Sequence, residues 1–297
     1  MLVVALLGGS AAAFAVTERL KLERSPILGT RVSKVVSPTS GQPASIIFRL
    51  RKADRVSVAI VDSERRVVKS LAGSRYLRRG RHEFKWFGRD SRGVPLPDGV
   101  YRPRLHLAGE HRTILMPNPI ALDTAAPSIA RTGLNLRTFS PDGDYRFDYL
   151  AVRYRSSEPV RAELFANGRL MVKNKKFDRA GTVQWNGRAD GLPRPAGVYR
   201  LQLRSIDQAG NEGSPTRTFV VRIRYIEIPK HIIRARTGGR LVVPVSTDAH
   251  RYTWRIGLRH GRASGRRLVL AAGEPGRYRL VVSERGYKAH AAVVVSP

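Results

Sequence analysis

The sequence predicts an all-β fold, a string of β-sandwiches behind an N-terminal hydrophobic segment. Three observations carry that expectation. Apolar and polar residues alternate along short runs, Gly and Pro punctuate those runs, and one phrase of core and turn residues occurs twice. Signals for helices are scarce beyond the first residues.

With 297 residues the chain exceeds one small domain, and two or three is the natural expectation. Hydrophobic residues make up 42%, enough for packed cores. The absence of cysteine excludes disulfides and thiolate metal or redox sites. Net charge is +31, so the surface should attract polyanions such as nucleic acid, anionic lipid or acidic wall polymers. Arginines spread over solvated faces give the same total with no ligand implied.

Leu2 to Val16, LVVALLGGSAAAFAV, is uncharged and ends in the small-x-small pattern Ala13-Phe14-Ala15. Residues 1–25 therefore read as a secretory signal peptide or membrane anchor, the apolar run alone falling short of the roughly 20 residues that span a bilayer. Arg19, Lys21 and Arg24 follow that run and no basic residue precedes it, which suggests a start lying further upstream. Residues 26–43 hold Pro26, Gly29, Pro38, Gly41 and Pro43 and read as an extended linker.

A first β-domain is expected over residues 44–123. Ile46, Phe48 and Leu50 share one face of a strand, and Val56, Val58 and Ile60 one face of the next, with arginines pointing away. A second is expected over 124–226, where Asn167-Gly168 forms a hairpin turn between apolar runs. The repeated phrase is KWFGRDSRGVPLPDGVYR at Lys85 to Arg102 and QWNGRADGLPRPAGVYR at Gln184 to Arg200. Trp86 and Trp185 end strands, Gly88 and Gly187 open tight turns, and Gly99 and Gly197 precede strands beginning at Tyr101 and Tyr199. A Trp on one strand and a Tyr on the next close one end of a core, each with its polar tip near water. The aromatics are expected to pack and not to form a ligand platform.

These phrases resemble the immunoglobulin-like domain of the flagellar hook-capping protein (FlgD-type), a module of many bacterial exported proteins. The resemblance covers roughly Ala44 to Arg224 and implies tandem immunoglobulin-like β-sandwiches. LDTAAPSIA at Leu122 to Ala130 and SIDQAGNEGSP at Ser205 to Pro215 are similar to the entry and exit phrases of bacterial immunoglobulin-like repeats. A hook-joining segment is not found, so the resemblance transfers as fold. A third, divergent β-domain is expected over 227–297, where Gly276-Arg277-Tyr278-Arg279 echoes the repeat and Glu284-Arg285-Gly286-Tyr287 makes a hairpin tip; Trp254 lacks the Gly-Arg sequel.

Catalytic signatures are absent from the sequence. The seven histidines are scattered without ligand spacing, and there is no nucleophile elbow or phosphate-cradling glycine loop. No cofactor is expected, with calcium as the one exception. Asp142, Asp144 and Asp148, in FSPDGDYRFD, place three carboxylates around Gly143, and calcium takes six to eight oxygen ligands. The stretch resembles the Phe-Ser-Pro-Asn/Asp-Gly-Asp-Gly segment that opens many exported β-sandwich repeats, with Tyr145 where a Gly is usual and Phe147 in place of a polar residue. A capped turn without metal is the alternative.

Basic runs expected in loops are Arg75, Arg78, Arg79 and Arg81; Lys173, Lys175 and Lys176; and Arg262, Arg266 and Arg267. Alternate-position arginines, among them Arg277 and Arg279, form ladders suited to phosphate-bearing polymers. No nucleic-acid motif accompanies them. The chain is expected to be a non-catalytic exported protein, membrane-anchored or at the cell surface, binding an anionic envelope polymer or a surface protein. A nucleic-acid-binding protein and a flagellar hook-assembly factor are the alternatives.

Overall fold

The computed structural model describes residues 25–297, so the segment read as a signal or anchor lies, but for Ser25, outside the described residues. Every regular element among them is a strand, and no helix there is long and apolar enough to cross a membrane. The chain divides into two compact units. One runs through Ala125 and includes Gln208–Asn211; the other comprises Ala126–Asp207 and Glu212–Pro297.

The first unit is one sandwich. Its smaller sheet orders strands Ile27–Val32, Ala44–Leu50 and Gly80–Trp86. The facing sheet orders Val35–Val36, Ile120–Leu122, Gly99–Leu107, Asp54–Val61 and Val67–Leu77, with Arg112–Leu115 against Gly99–Leu107. Between them lie Ile46, Phe48, Leu50, Val56, Val58 and Ile60, as the alternation predicts. Each such side chain contributes roughly 1.5–3 kcal/mol on burial.

Residues 26–43 are no linker. Ile27–Val32 pairs antiparallel with Ala44–Leu50, Val35–Val36 pairs parallel with Ile120–Leu122, and Ile27, Val32 and Val36 belong to the core. Pro26 and Pro38 flank two short strands at the sheet margin, and Gly29, inside the first at φ 55°, sits at the register shift between Leu28 and Arg31.

The second unit holds two hydrophobic cores. In the first of these, strand Leu150–Ala166 serves both sheets. Its beginning pairs with Ile129–Leu134 and Asp178–Trp185, and its end with Arg169–Lys173 and Gly197–Ile206. Asn167 and Gly168 turn at φ 49° and 80°, the backbone a two-residue hairpin requires. Phe219–Ile223 then pairs with Gly197–Ile206 on one side and, in parallel, with Thr138–Phe139 on the other.

The other core lies against a five-stranded sheet in the order Ile232–Arg236, Tyr287–Ser296, Gly276–Glu284, Tyr252–Ile256 and Arg259–Ala263. A pair, Arg240–Pro244 with Arg267–Ala271, contributes Leu241, Val243, Leu268 and Leu270 to the same core. Arg285 and Gly286, at φ 42° and 89°, form the expected hairpin tip. Tyr225, at the end of the preceding sandwich, stacks on Tyr287 with centroids 3.6 Å apart.

Candidate functional site

The repeated phrase builds the same corner twice. Trp86 and Tyr101 meet edge to face at 5.2 Å, and Trp185 and Tyr199 at 5.6 Å. Both Trp side chains are buried, and their polar tips are bonded by the motif's own turn rather than by water. Trp86 Nε1 donates to the Arg89 carbonyl at 3.0 Å and Trp185 Nε1 to the Arg188 carbonyl at 2.8 Å. Tyr101 donates to the Pro97 carbonyl at 2.9 Å and Tyr199 to the Pro195 carbonyl at 2.8 Å. The motif arginines brace the same turns: Arg89 donates to the Gly93 and Pro38 carbonyls, and Arg188 to that of Gly191. In the third β-domain only the Tyr half recurs, Tyr278 donating to the Glu274 carbonyl at 3.0 Å.

Gly88 and Gly187 sit at φ 70° and 67°, and each backs onto a Ser-Pro loop. A Cβ on Gly187 would lie 2.3 Å from Pro141 Cγ, and one on Gly88 3.2 Å from Pro38 Cδ. The motif glycine is therefore the seat of the loop that, in the second sandwich, carries the aspartates.

That loop is held by its own carboxylates. Asp142 accepts hydrogen bonds from Ser140 Oγ at 2.9 Å and the Asp144 amide at 3.1 Å. Asp144 accepts from the Arg146 amide at 2.8 Å. Asp148 is buried and accepts from the Gly143 and Tyr145 amides, both at 2.7 Å. Its two oxygens are thus committed to bracing the loop, and the expected grouping of Asp148 with Asp142 and Asp144 is not what the fold assembles. Asp248 takes that place. Carboxylate oxygens of Asp142, Asp144 and Asp248 lie within 4.8 Å of one another. Tyr145 and Phe147 adopt φ 68° and 50°, so the backbone turns there as a glycine would despite the side chains.

Glu284 approaches the same cluster from the inner side of its strand, with only 7% of its side chain exposed. Its Oε2 and both carboxylate oxygens of Asp248 are shielded from solvent and lack hydrogen-bond partners. Burial first, then the Asp142 and Asp144 charges, pushes Asp248 up to about 6. Burial and Asp142 move Glu284 upward likewise.

The basic runs are not all loops. Arg75 lies on strand Val67–Leu77, Arg78 and Arg79 at the turn after it, and Arg81 on Gly80–Trp86 beside Glu83 at 3.2 Å. Lys173 ends its strand bonded to buried Glu163 at 2.7 Å, with Lys175 and Lys176 following in the loop. Arg266 and Arg267 belong to the turn and strand of the two-stranded sheet. Arg262 is placed differently, on the outward face of the five-stranded sheet.

The pairing register defines that face. Arg262 lies opposite Thr253, His260 opposite Arg255, and Arg255 opposite Val281. Ser283 then meets Lys288, Val281 meets His290, Arg279 meets Ala292, and Arg277 meets Val294, which neighbours Arg234. Arg234, Arg236, Arg255, Arg262, Arg277, Arg279 and Lys288 therefore share one exposed surface. Glu284 is the only acidic residue on these five strands, and it points inward. Burial and then the Arg279 and Lys288 charges hold His290 below its ordinary value. Trp254 and Tyr278 turn to the core side, so the exposed rings of this face are the imidazoles of His260 and His290.

Sequence reasoning missed Arg234, Arg236, Arg255, Lys288, Asp248 and Glu284. The period of two in RYRLVVSE gave a signal for one of them, since Glu284 falls on the apolar positions of Leu280 and Val282. Asp248 offered none.

Residues 33–108 match the family model of the FlgD Ig-like domain. The resemblance read from the motif thus holds for the first sandwich, and the second shares its corner geometry. A comparison with curated proteins finds no match. Among solved structures the chain is similar to the fibronectin(III)-like modules of Clostridium thermocellum CbhA, at 12% identity and TM-score 0.35, covering 66% of this chain and 93% of that one. The titin I-band fragment I67-I69 matches at 8% identity and TM-score 0.26, covering 92% and 99%. A structure concerning host cell surface retention of a 1.5-MDa bacterial ice-binding adhesin matches at 12% and 0.27, covering 92% and 99%.

Proposed function

We propose that the chain is a non-catalytic, exported cell-envelope protein whose third β-domain binds a phosphate-bearing envelope polymer. The observation that carries this reading is the outward face of the five-stranded sheet, where seven Lys and Arg side chains are aligned without a carboxylate on its strands. Rows of fixed cations at strand spacing match a flexible chain of regularly spaced phosphates, and counterion release supplies the affinity. Single-stranded nucleic acid is bound through base stacking on exposed aromatics, and this face presents only the imidazoles of His260 and His290, with Trp254 and Tyr278 packed on the core side. The FlgD Ig-like match and the apolar segment Leu2 to Val16 support export, with the sandwiches acting as a spacer.

The test is titration of the full chain with poly(glycerol phosphate) and with single- and double-stranded DNA of equal charge. Poly(glycerol phosphate) should bind the tighter, with affinity falling about a hundredfold between about 50 and 200 mM salt. Arg255→Glu with Lys288→Glu should abolish binding. Unchanged affinity in that variant, or tighter DNA binding, overturns the reading. Mass spectrometry of the native N-terminus tests export: a chain beginning at Val16 in the medium or an intact one in the membrane supports it, and an intact cytosolic chain contradicts it.

A further inference from the structure

We propose that Asp142, Asp144, Asp248 and Glu284 bind one calcium ion that clamps the third β-domain to the second. The donor set comes from three separate places: the Ser-Pro-Asp loop of the second sandwich, the turn after strand Ser246–Thr247, and the end of strand Gly276–Glu284.

The geometry fits an oxygen-only cation site. Oxygens on opposite sides of one calcium ion lie about 5 Å apart, twice the Ca–O distance of 2.3–2.6 Å. The oxygens of Asp142, Asp144 and Asp248 meet that limit at 4.8 Å. The second observation is the missing counterpart. Glu284 is 93% buried by side chain (7% exposed) and faces Asp142, and its Oε2 has no donor. Both Asp248 oxygens are likewise shut off from solvent without a donor. A buried, unpaired carboxylate oxygen is costly, and several facing one another compound the cost.

Cations already stand nearby, with Arg146, Arg224 and Arg266 lining the cavity beside Asp248. Arg285 Nε stands 3.4 Å from Glu284 Oε1, with half of its side chain exposed. These guanidinium groups leave Glu284 Oε2 and both Asp248 oxygens without a hydrogen bond. The cluster holds no histidine and the chain no cysteine, so a hard cation is favoured over zinc. Four carboxylates supply up to eight oxygens, which suits calcium's high coordination number better than magnesium's strict octahedron. The Tyr225–Tyr287 stack at the same junction supplies a contact that needs no ion.

Melting of the full chain in EDTA and in calcium chloride tests this, with Asp248→Asn and Glu284→Gln as variants. Calcium a hundredfold above its Kd should raise the wild-type Tm by about 5–10 °C. In EDTA both variants should melt above the wild type, since each removes a repelling charge, and both should lose the calcium shift. No wild-type shift at about 10 mM calcium, well above the affinity range of extracellular modules, overturns the proposal. A shift that survives the double variant, or variants that melt below the wild type in EDTA, does so too.

Discussion

The Ser-Pro loop of the first sandwich and that of the second are built on one plan and differ in charge. Each follows a two-residue strand, Val35–Val36 or Thr138–Phe139, that pairs in parallel with the last strand of its sandwich. In each, the Ser hydroxyl bonds the side chain two residues on: Ser37 with Thr39 at 2.7 Å, Ser140 with Asp142 at 2.9 Å. Each sits on the motif glycine. The first loop continues Thr39-Ser40-Gly41, all neutral, and the second Asp142-Gly143-Asp144. The corner is thus a neutral frame, and three changed positions, two of them now aspartates, turn its loop into a place where a carboxylate from elsewhere collects.

If the two corners are equivalent, Trp86→Ala and Trp185→Ala should destabilise their own sandwiches equally, by about 3–5 kcal/mol each. Hydrogen exchange resolved by strand is the measurement, because a multidomain chain has no single unfolding free energy. Unequal losses break the equivalence.

The glycines sharpen it. Alanine at either position pays for a left-handed backbone, about 1–2 kcal/mol. At Gly187 the Cβ also collides with Pro141, which adds about 1–3 kcal/mol, whereas at Gly88 the contact with Pro38 is only tight. Gly187→Ala should therefore cost more than Gly88→Ala in the same exchange experiment.

Tyr101→Phe and Tyr199→Phe should each cost about 0.5–1.5 kcal/mol for the lost hydrogen bond to the turn carbonyl. Tyr278→Phe, at a more exposed position lacking the Trp partner, should cost less.

The smallest effect lies in the first turn. Amide hydrogen bonds from Val94, and then those from Arg92, hold Asp90 below its ordinary value of 3.8. A depressed folded value means stabilisation that is complete above about pH 4 and lost as pH falls through the lower folded value. The Val94 amide resonance should shift over that acidic range and stop doing so in Asp90→Asn.

Much of this frame was legible in the sequence. Trp86, Gly88 and Tyr101, with Trp185, Gly187 and Tyr199, announce the corner because each position tolerates few residues. The Asn167-Gly168 and Arg285-Gly286 turns are legible for the same reason, a backbone sign that few residues accept. The strands within 26–43 were hidden because marginal strands are short and bounded by the very residues that mark linkers. Asp148 was misplaced because nearness in sequence does not say whether a carboxylate faces its own amides or a neighbour. Asp248 reaches the loop through tertiary packing, which no local pattern encodes, whereas the period of two marks Glu284 as inward-facing without saying what it meets. The basic runs misled in a related way: contiguous arginines scatter over turns and edges, while cross-strand register gathers Arg255, Arg279 and Lys288 from three separate segments.

The most direct measurement is hydrogen exchange of the full chain with and without calcium, read at both Ser-Pro loops. The account predicts added protection at residues 139–148, around Asp248 and at the Glu284–Tyr287 hairpin tip, with residues 36–42 unchanged. Equal protection of both loops, or none at either, would contradict it.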